Sequence, residues 1–492
     1  MPKRVLLLTP PYHTGIIEIT GKWPPLSLAY LAGALRGAGH PVEIYDIMTK
    51  NHTLEEAIDR IIAFQPEVVM IGAFTASINA ALETLRVVKQ ELPQVITAVG
   101  GIHATFCWEE ILEEWGPWVD LVVVGEGEVT VVELLSVLEK PAWPDNKTAL
   151  GGIPGIAYRQ DSQIIKTAER QLVANIDKLV PAWDLLEWDD YYYRITGERL
   201  AVVGSSRGCP HKCSFCSQYK FWCSTYRERS PESFVAELEF LRDDYGVQMC
   251  MLADEYPTYN RERFEAILDL IIARDLGMHF SMETRVEDIL RDADILDKYR
   301  RAGIIHVYAG VESTHQQVLD LFNKESKVDS GKLAIRLLNE AGIVTECSFI
   351  LGHPEETRES VDETLQQAIE YNPDLAHFLM ITPWPYADIY KELEPLIMER
   401  DYSKYHLVHP IIQPKNLTRE ELWEKVIDCF AQFYKHKTKQ YLSAPDSFKK
   451  DYMLKSIRIM HEEFFSHNFG RNAIAMPERF NEIMKNSLKT HV

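Results

Sequence analysis

The sequence predicts an α/β protein with two successive parallel-sheet domains and a helical region at the C-terminus. Three observations support this fold class. Short β-branched apolar runs alternate with amphipathic stretches over residues 1–140, a second alternation covers residues 199–390, and residues 391–492 have helical periodicity. The chain has 492 residues, more than one hydrophobic core ordinarily serves, so several domains are expected.

Residues 1–140 contain five strand-like runs, which read RVLLLT, VEIYDI, EVVMIGAF, VITAVGG and DLVVVGEG. Continuous apolar strands separated by helices indicate a parallel sheet covered on both faces. We therefore predict a doubly wound domain, Rossmann-like or flavodoxin-like, whose ligand sits beyond the carboxyl ends of the strands. Those ends read TPPYHTG, FTAS, GGIHAT and GEGE, which together favour a binding crevice over ordinary tight turns. No GxGxxG follows the first strand, so a dinucleotide is not the expected ligand.

Residues 199–390 contain six further strand-like runs, which read LAVVGSS, MCMLADE, HFSMETR, IIHVYAGVES, IVTECSFILG and AHFLMITPWP. Six βα units are two short of a complete (β/α)8 barrel, so a partial (β/α)6 barrel is predicted, with its functional groups at the C-terminal strand ends. In one of its helices Ser230 is the expected N-cap and Pro231 the first helical residue. Residues 141–198 are predicted to be a linker with a short hairpin, wrapped between the two domains.

The C-terminal region, residues 391–492, contains two amphipathic stretches, TREELWEKVIDCFAQFYKHK and DYMLKSIRIMHEEFFSHNFG. Their aromatic residues at helical spacing indicate packing rather than a cofactor site. We expect this region to form a lid over the barrel mouth. The alternative is a small helical bundle against the side of the barrel.

The composition argues against several classes of protein. The formal net charge is −21, which argues against a nucleic-acid enzyme because binding to a phosphate backbone needs a basic face. No apolar run approaches the roughly 20 residues of a bilayer span, and the N-terminus lacks the pattern of a signal peptide, so a cytoplasmic protein without a transmembrane segment is expected. Eight cysteines in such a long chain do not form a disulfide framework.

Three of these cysteines form a C-x3-C-x2-C motif in the loop after the first predicted barrel strand. They are Cys209, Cys213 and Cys216. Three thiolates on one short loop can hold three irons of a [4Fe–4S] cluster and leave the fourth iron open to another ligand. Two alternatives remain, a zinc site that borrows a distant fourth Cys or His, and thiols without any metal. The position at the first strand end favours the catalytic cluster.

The motif resembles that of the radical S-adenosylmethionine (SAM) superfamily. That resemblance implies that the open iron chelates SAM, and that an electron from the cluster cleaves SAM to a 5′-deoxyadenosyl radical that abstracts hydrogen. LADE matches the acidic segment that binds the amino group, and FILGHPEE looks like the fifth-strand segment, which also includes Glu355. The SAM-binding residues implied by the resemblance are Phe215, Asp254, Glu255, Glu283, Arg285, Glu312, Ile350 and Gly352.

A doubly wound domain before such a barrel resembles the cobalamin-dependent subfamily, in which the rim loops bind the corrinoid. The GGIHAT segment matches its GG-x-H-A-T pattern. The chain lacks D-x-H-x-x-G, so the resemblance implies base-off cobalamin without that histidine ligand. The implied cobalamin-binding residues are Thr9, Pro10, Tyr12, Thr75, Ser77, Gly100, Gly101, His103, Ala104, Thr105, Gly125, Glu126 and Gly127.

Longer stretches resemble the anaerobic magnesium-protoporphyrin IX monomethyl ester cyclases. They are PYHTGIIEITGKWPPLSLAYLAGAL, CSQYKFW, LADEYPTYNR, LFNKES, NPDLAHFLMITPWPYAD and DYSKYHLVHPI. This resemblance implies closure of the fifth chlorophyll ring from a methyl-esterified propionate arm, with water as oxygen source and cobalamin as electron acceptor or mediator. It also implies a tetrapyrrole substrate and a low-potential donor, ferredoxin or flavodoxin.

Aromatic and histidine side chains at the barrel strand ends are candidates for contact with such a macrocycle. The candidate pocket aromatics are Trp222, Tyr256, Trp384 and Tyr386, with ordinary packing as the alternative. The histidines that could reach a central magnesium are His211, His306, His353 and His377, for which packing or hydrogen bonding is the alternative.

Three other functions remain open. A cobalamin-dependent radical SAM methyltransferase needs the same modules and acts on a tetrapyrrole or another small molecule. A non-catalytic cobalamin and iron–sulfur sensor would carry an effector domain, such as a basic DNA-binding helix, and the sequence shows none. The acidic charge argues against a transfer-RNA methylthiolase.

Overall fold

The fold was examined in a computed structural model that describes residues 1–13, 20–140, 147–460 and 462. It has the predicted α/β architecture, with two large sheets in succession and helices at the C-terminus. The end of the TPPYHTG loop, the start of the predicted linker and the end of the second C-terminal amphipathic stretch lie outside the described residues. Within the described part of the chain, no helix has both the length and the apolar character of a membrane span.

The first sheet has seven strands in the order β2-β1-β3-β4-β5-β6-β7. Its strands are β1 (Val5–Thr9), β2 (Val42–Asp46), β3 (Val68–Gly72), β4 (Ile96–Gly100), β5 (Leu121–Val123), β6 (Ile156–Gln160) and β7 (Gln163–Lys166). The helices around it are α1 (Leu26–Gly37), α2 (Ile47–Lys50), α3 (Leu54–Phe64), α4 (Ile78–Glu91), α5 (Ile102–Phe106), α6 (Trp108–Trp115) and α7 (Glu128–Leu138). Strands β1–β5 pair in parallel, as their continuous apolar character predicts.

The hairpin predicted in the linker is present, but it belongs to the first sheet. Strand β6 pairs antiparallel with β5, and β7 pairs with β6, so the sheet continues to Lys166, past the expected boundary at residue 140. The remaining linker packs between the domains: Ala182 donates its backbone N–H to the Ala29 carbonyl of α1, and the Trp183 indole donates to Glu237 at 2.8 Å. One hydrophobic core therefore runs through both domains.

The second sheet has seven strands in the order β16-β15-β14-β13-β12-β9-β8. The strands of this half of the chain are β8 (Tyr192–Tyr193), β9 (Glu198–Val203), β10 (Ser206–Arg207), β11 (Arg227–Glu228), β12 (Met249–Leu252), β13 (His279–Arg285), β14 (Ile304–Glu312), β15 (Val344–Leu351) and β16 (Leu375–Met380). Six of the sheet's strands run parallel, which is the predicted partial barrel, and β8 adds an antiparallel edge.

Helices accompany the strands of this curved sheet, and the longer ones pack against it. They are α8 (Gln218–Phe221), α9 (Pro231–Tyr245), α10 (Arg261–Ala273), α11 (Val286–Arg291), α12 (Leu296–Arg301), α13 (Gln316–Leu321), α14 (Val328–Glu340), α15 (Arg358–Tyr371) and α16 (Tyr390–Leu393). The start of α9 is as predicted: the Ser230 side chain accepts from the Ser233 N–H, and Pro231 is the first helical residue. Gly246 ends the helix in the left-handed conformation.

The C-terminal helices α17 (Arg419–Ser443) and α18 (Phe448–Ile459) do not form the expected lid. Helix α17 packs along α15 and the edge strand β16, where Tyr434 exchanges hydrogen bonds with both backbone groups of Ala376. Helix α18 lies near the strand starts, because Lys449 donates to the Ile343 carbonyl just before β15. The described helices therefore cover the sheet edge and close the floor of the half-barrel. This agrees with the alternative prediction, a small helical bundle against the barrel.

Candidate active site between the two domains

The cysteine motif lies in the loop that follows β10, at the C-terminal end of the barrel strands. All three thiols are free; Cys213 is buried, and Cys209 and Cys216 are half-buried. Hydrogen bonds from the Ser214 N–H to the Phe322 carbonyl at 2.8 Å and from the Ser214 hydroxyl to the Leu321 carbonyl at 2.9 Å fix the loop. The segment after β14 thus holds the thiols in place.

Two buried cations stand next to these thiols. Burial raises the pKa of all three thiols, that of Cys216 to about 12, while the positive charges of Lys324 and Arg285 act in the opposite direction on Cys213. Arg285 is itself held by the Lys324 carbonyl at 2.8 Å. A dry, cationic loop with three thiolate donors fits an anionic iron–sulfur cluster with one open iron.

Among the described residues, no three His, Cys, Asp or Glu side chains converge on a single metal ion. A four-iron cluster spreads its thiolates over three separate irons, so it does not require such convergence. When bound, this cluster supplies the electron that cleaves SAM. The three thiol side chains are the groups that would hold it.

The two carboxylates of the LADE segment have different environments. Asp254 is fully buried; it accepts from the Ser205 N–H at 2.9 Å and from the hydroxyls of Ser205 and Ser206 at 2.6 and 2.5 Å. Glu255 is half-buried and accepts from the Gly208 N–H at 2.9 Å and from the Trp222 indole at 2.6 Å. Of the two, Glu255 is the carboxylate that contacts the cysteine loop, and Asp254 braces the turn before it.

The inner face of the half-barrel is an accessible lumen lined by alternate strand residues. On this face the side chains keep solvent exposure, while their strand neighbours are buried. They are Met251, Ser281, Glu283, Tyr308, Glu346, Ile350, His377 and Leu379. Exposure of every second side chain in the middle of a parallel sheet indicates that the interior of the half-barrel is open, because a filled core would bury both faces.

The lumen carries two of the predicted carboxylates. Burial among protein atoms raises the pKa of the Glu283 carboxyl to about 7, with further contributions from the negative charges of Glu255 and Glu312. Glu312, in left-handed backbone conformation, accepts from Lys324 at 2.9 Å and from the Ser348 hydroxyl at 3.0 Å. These bonds connect the lumen wall directly to the cation beside Cys213.

The fifth-strand segment lies against the cysteine loop. Ile350 and Phe215 belong to one apolar cluster, in which the Phe215 ring meets Phe322 edge-on at 5.2 Å. The Gly352 N–H donates to Glu356 at 2.9 Å.

The carboxylate that accepts from the turn after β15 is therefore Glu356, which is buried. Glu355 is exposed and pairs with Lys415. Sequence reasoning did not select Glu356, although the second glutamate of HPEE is the signal that could have identified it.

The predicted rim loops follow β1, β3, β4 and β5 and meet at one edge of the first sheet. Gly101, with φ of +98°, allows the closest approach, since a Cβ there would lie 2.5 Å from the Ala73 carbonyl oxygen. The Thr105 hydroxyl donates to the Gly101 carbonyl at 2.8 Å and accepts from the Gly125 N–H at 3.0 Å, which ties two loops together. Beside them Phe74 is 71% exposed. A tight glycine rim with an exposed aromatic ring fits a large, flat cofactor.

The other predicted rim residues have internal partners. Thr9 donates to Asp46 at 2.7 Å, Tyr12 donates to the Ser403 carbonyl at 2.7 Å, and Ser77 accepts from the Phe74 N–H. Four more predicted positions complete this edge, namely Pro10, Ala104, Gly100 and Gly127, of which Pro10 and Ala104 are buried.

His103 is buried at this edge, and burial lowers its pKa to about 4. Its Nδ1 lies 3.1 Å from the Thr75 hydroxyl, and its ring meets Tyr402 edge-on at 4.7 Å. The Thr75 hydroxyl in turn lies 2.7 Å from the Tyr386 hydroxyl. The histidine is therefore neutral and anchored in a contact between the domains.

Glu126 forms a second contact between the domains, with arginines that sequence reasoning did not identify. It pairs with Arg207 at 2.7 Å and Arg227 at 2.9 Å, and Arg207 also pairs with Glu128 at 2.7 Å. All four groups are largely buried, so removal of one partner would leave an uncompensated charge. Because Arg207 directly precedes Gly208 and the cysteine loop, this network joins the rim to the loop.

The candidate pocket aromatics are not all in one place. Trp222 is at the cysteine loop, whereas Tyr256 is buried with its hydroxyl on Asp288 at 2.9 Å. Trp384 packs beside Tyr405 at 6.4 Å, in the apolar cluster that also includes Ile350 and Phe215.

Tyr386 instead stacks on Phe106 of the first domain at 4.9 Å. Beside it lies a cleft of about 630 Å³ between the two domains, lined by Phe106, Cys107, Glu109, Glu110, Glu113, Lys220, Pro385 and Tyr386.

The four candidate histidines divide into two pairs. His306 and His377 are on the inner strand faces, where both contact Glu346. His211 pairs with Glu325 at 2.9 Å, and His353 lies 3.4 Å from Glu356. The structure thus leaves two histidines at the lumen.

Two family profiles match the chain, one described as a B12 binding domain over residues 12–135 and one as the radical SAM superfamily over residues 203–368. Among solved structures, the cobalamin-dependent SAM radical enzyme OxsB, with aqua-cobalamin and SAM bound, aligns with a TM-score of 0.72 at 17% identity, over 100% of this chain and 75% of that one. The methyltransferase TsrM from Kitasatospora setae aligns with a TM-score of 0.68 at 15% identity, over 100% of both chains. These likenesses concern the fold.

Curated relatives named anaerobic magnesium-protoporphyrin IX monomethyl ester cyclase are much closer in sequence. The protein from Cereibacter sphaeroides is 40% identical over 92% of this chain and 74% of its own length. The protein from Rubrivivax gelatinosus is 38% identical over 95% of this chain and 84% of its own. An uncharacterized methyltransferase from Pyrococcus horikoshii is 30% identical over 88% of this chain and 92% of its own.

The two matched domains identify the cofactors as cobalamin, SAM and a [4Fe–4S] cluster. The B12-binding range contains the rim loops after β3, β4 and β5 and part of the loop after β1, and the radical SAM range contains the cysteine loop. The chain is therefore a cobalamin-dependent radical SAM enzyme, and it belongs to the family of the anaerobic magnesium-protoporphyrin IX monomethyl ester cyclases.

Proposed function

We propose that the chain catalyses the oxygen-independent oxidative cyclisation of magnesium-protoporphyrin IX 13-monomethyl ester to protochlorophyllide. The observation that carries this proposal is the identity of 33–40% to three relatives with that name, over 87–95% of this chain. The relatives named as methyltransferases are at 30% identity or below.

The reaction converts a methylene of the ester arm into a ketone and then joins the next carbon to the neighbouring meso position. The methylene loses two hydrogens and gains the oxygen of water, and ring closure removes one hydrogen from each of the two carbons that bond. Every step releases electrons and protons. The site must therefore accept both while it excludes bulk water from a radical.

In this proposal the cysteine loop and Glu255 bind the cluster and the amino group of SAM. Lys324 and Arg285 stabilise the negative charge of the loop, and they are themselves held by Glu312 and by backbone carbonyls. Such fixed charges in a dry site need no reorganisation during the reaction.

In the same proposal Glu283 is the proton acceptor of the lumen. Its side chain keeps solvent exposure in the lumen although protein atoms surround its carboxyl, and its raised pKa, about 7, is suitable for exchange of protons near neutral pH. Tyr386 joins the rim of the first sheet to the segment after the last barrel strand, and this rim would hold cobalamin as the electron acceptor.

The proposal is tested by anaerobic incubation of the cofactor-loaded protein with magnesium-protoporphyrin IX monomethyl ester, SAM and a low-potential donor. We expect a product with the mass and absorption of protochlorophyllide. A matched protein with Cys213→Ala should give none. Cleavage of SAM without any change in the tetrapyrrole would contradict this substrate.

A further inference from the structure

A His–Glu–His cluster lies on three neighbouring strands of the half-barrel. His306 is on β14, Glu346 on β15 and His377 on β16. The Nε2 atom of His306 lies 2.7 Å from one oxygen of Glu346, and the Nε2 atom of His377 contacts the other. The steps described above use none of these groups.

The direction of the hydrogen bond between His377 and Glu346 follows from the chemistry of the two groups. A carboxylate oxygen accepts from an imidazole N–H, so His377 donates from Nε2. Nε2 of His306 is at ion-pair distance from Glu346 but is without a hydrogen-bond partner among the described residues. The remaining nitrogen of His306, Nδ1, lies 2.9 Å from the Tyr452 hydroxyl, which also contacts the Tyr193 hydroxyl.

His377 differs from His306 at its second nitrogen. Nδ1 of His377 has no hydrogen-bond partner among the described residues, and it is not a buried atom. The side chain is 23% exposed, on the inner face of the sheet. With its one proton on Nε2, the imidazole of His377 presents the Nδ1 lone pair to the lumen.

A histidine with one nitrogen on a carboxylate and the other free has the arrangement of metal-ligating histidines, because the carboxylate fixes the tautomer and raises the basicity. In the part of the chain that is described, no three side chains converge on one metal ion. A metal at His377 would therefore have to bring most of its other donors. A metallotetrapyrrole does so, because its four ring nitrogens leave an axial position free.

The position of His377 also suits this role. In the register of the sheet His377 is the partner of Ser348 on the adjacent strand. The Ser348 hydroxyl donates to Glu312, and Glu312 accepts from Lys324, the cation beside Cys213. The free imidazole nitrogen is thus on the same wall as the groups that surround the cysteine loop.

We propose that His377 is the axial ligand for the central metal of a metallotetrapyrrole substrate, and that Glu346 and His306 are positioning residues that fix its tautomer. This inference rests on the proposed function, from which it takes the class of substrate. It adds a binding group that distinguishes metallated from metal-free macrocycles.

The test compares binding of magnesium-protoporphyrin IX monomethyl ester with binding of its metal-free form, without turnover. We expect the native protein to bind the magnesium form about tenfold or more tightly, with the absorption shift of an imidazole-ligated magnesium. His377→Ala should abolish the preference and the shift, and added 1-methylimidazole should restore the shift. Glu346→Gln should give a preference between that of the native protein and that of His377→Ala, because it weakens the ligand without removing it.

The matched control is His436→Ala, which removes an exposed histidine of α17 and should leave both affinities unchanged. Equal binding of the two forms by the native protein would overturn the axial-ligand role while the proposed substrate stands. A preference and a shift that persist in His377→Ala would also overturn it. Binding of neither form would overturn the proposed function, and this inference with it.

Discussion

The hydroxyl oxygens of Tyr386 and Thr75 lie 2.7 Å apart and join the segment after the last barrel strand to the rim of the first sheet. The same threonine oxygen contacts Nδ1 of His103, and the ring of Tyr386 stacks on Phe106. One tyrosine thus couples the two domains at the edge that we propose to bind cobalamin.

Loss of this hydroxyl should loosen the contact between the domains without removing it. Tyr386→Phe keeps the stacking on Phe106 but breaks the bond to Thr75, at a cost of about 1 kcal/mol in the free energy of unfolding. We expect cobalamin to dissociate faster, as followed by its absorbance during dialysis. Tyr386→Ala removes the ring as well, so less cobalamin should remain bound after dialysis. Equal amounts of bound cobalamin in the two variants would contradict a role of the Tyr386 ring in joining the domains.

The two carboxylates of the LADE segment should have separable roles. Glu255→Gln should weaken SAM binding and leave thermal stability nearly unchanged, because Glu255 contacts the cysteine loop at its surface. Asp254→Asn should reduce stability by about 1–3 kcal/mol, since its buried oxygens accept three hydrogen bonds from Ser205 and Ser206. Calorimetric SAM titration and thermal unfolding of both variants check this. Weaker SAM binding by Asp254→Asn together with lower stability of Glu255→Gln would contradict these roles.

The ion pair between Lys324 and Glu312 is buried, with nitrogen and oxygen 2.9 Å apart. Lys324→Met leaves the Glu312 charge uncompensated and should cost about 3–5 kcal/mol of unfolding free energy. The double variant with Glu312→Gln should recover much of that loss in denaturant unfolding. A Lys324→Met variant as stable as the native protein would show that the ion pair does not contribute to the free energy of unfolding.

Glu283 should make stability depend on pH. Its pKa in the folded chain, about 7, is above its ordinary value of 4.5, because burial disfavours the charged form. The unfolded chain loses this proton first, so the contribution to stability is present below about pH 4.5 and declines as the pH rises to about 7.

The comparison variant for this dependence is Glu283→Gln, which stays uncharged at every pH. Relative to the native protein it should be more stable at pH 8 than at pH 5, as measured by denaturant midpoints at both values. An offset between the two proteins that is the same at pH 5 and pH 8 would show that Glu283 titrates normally.

Much of the fold follows from local patterns, because parallel strands and their helices have short, regular signals. The C-x3-C-x2-C loop, the rim loops and the N-cap at Ser230 are also local features. The two arginines that hold Glu126 are different: Arg227 is 101 positions away along the chain, and no local pattern predicts such a pair. The same holds for the position of α18, whose Tyr452 meets His306 across 146 positions.

The lid expectation did not hold for α17 and α18, for a related reason. An amphipathic helix shows that one face is buried, but it does not show which surface covers that face. Only the contacts of Tyr434 with Ala376, and of Lys449 with the start of β15, place these helices at the edge and floor of the barrel. Likewise, LADE offered two carboxylates, and only the fold shows which of them is enclosed.

The central claim is oxidative cyclisation with water as the oxygen source. The most direct measurement is one anaerobic incubation that contains magnesium-protoporphyrin IX monomethyl ester, methyl-deuterated SAM and oxygen-18 water, with the product read by mass spectrometry. The account predicts oxygen-18 in the product and no deuterated methyl group. A product with a deuterated methyl group and without oxygen-18 would contradict it and make the chain a methyltransferase.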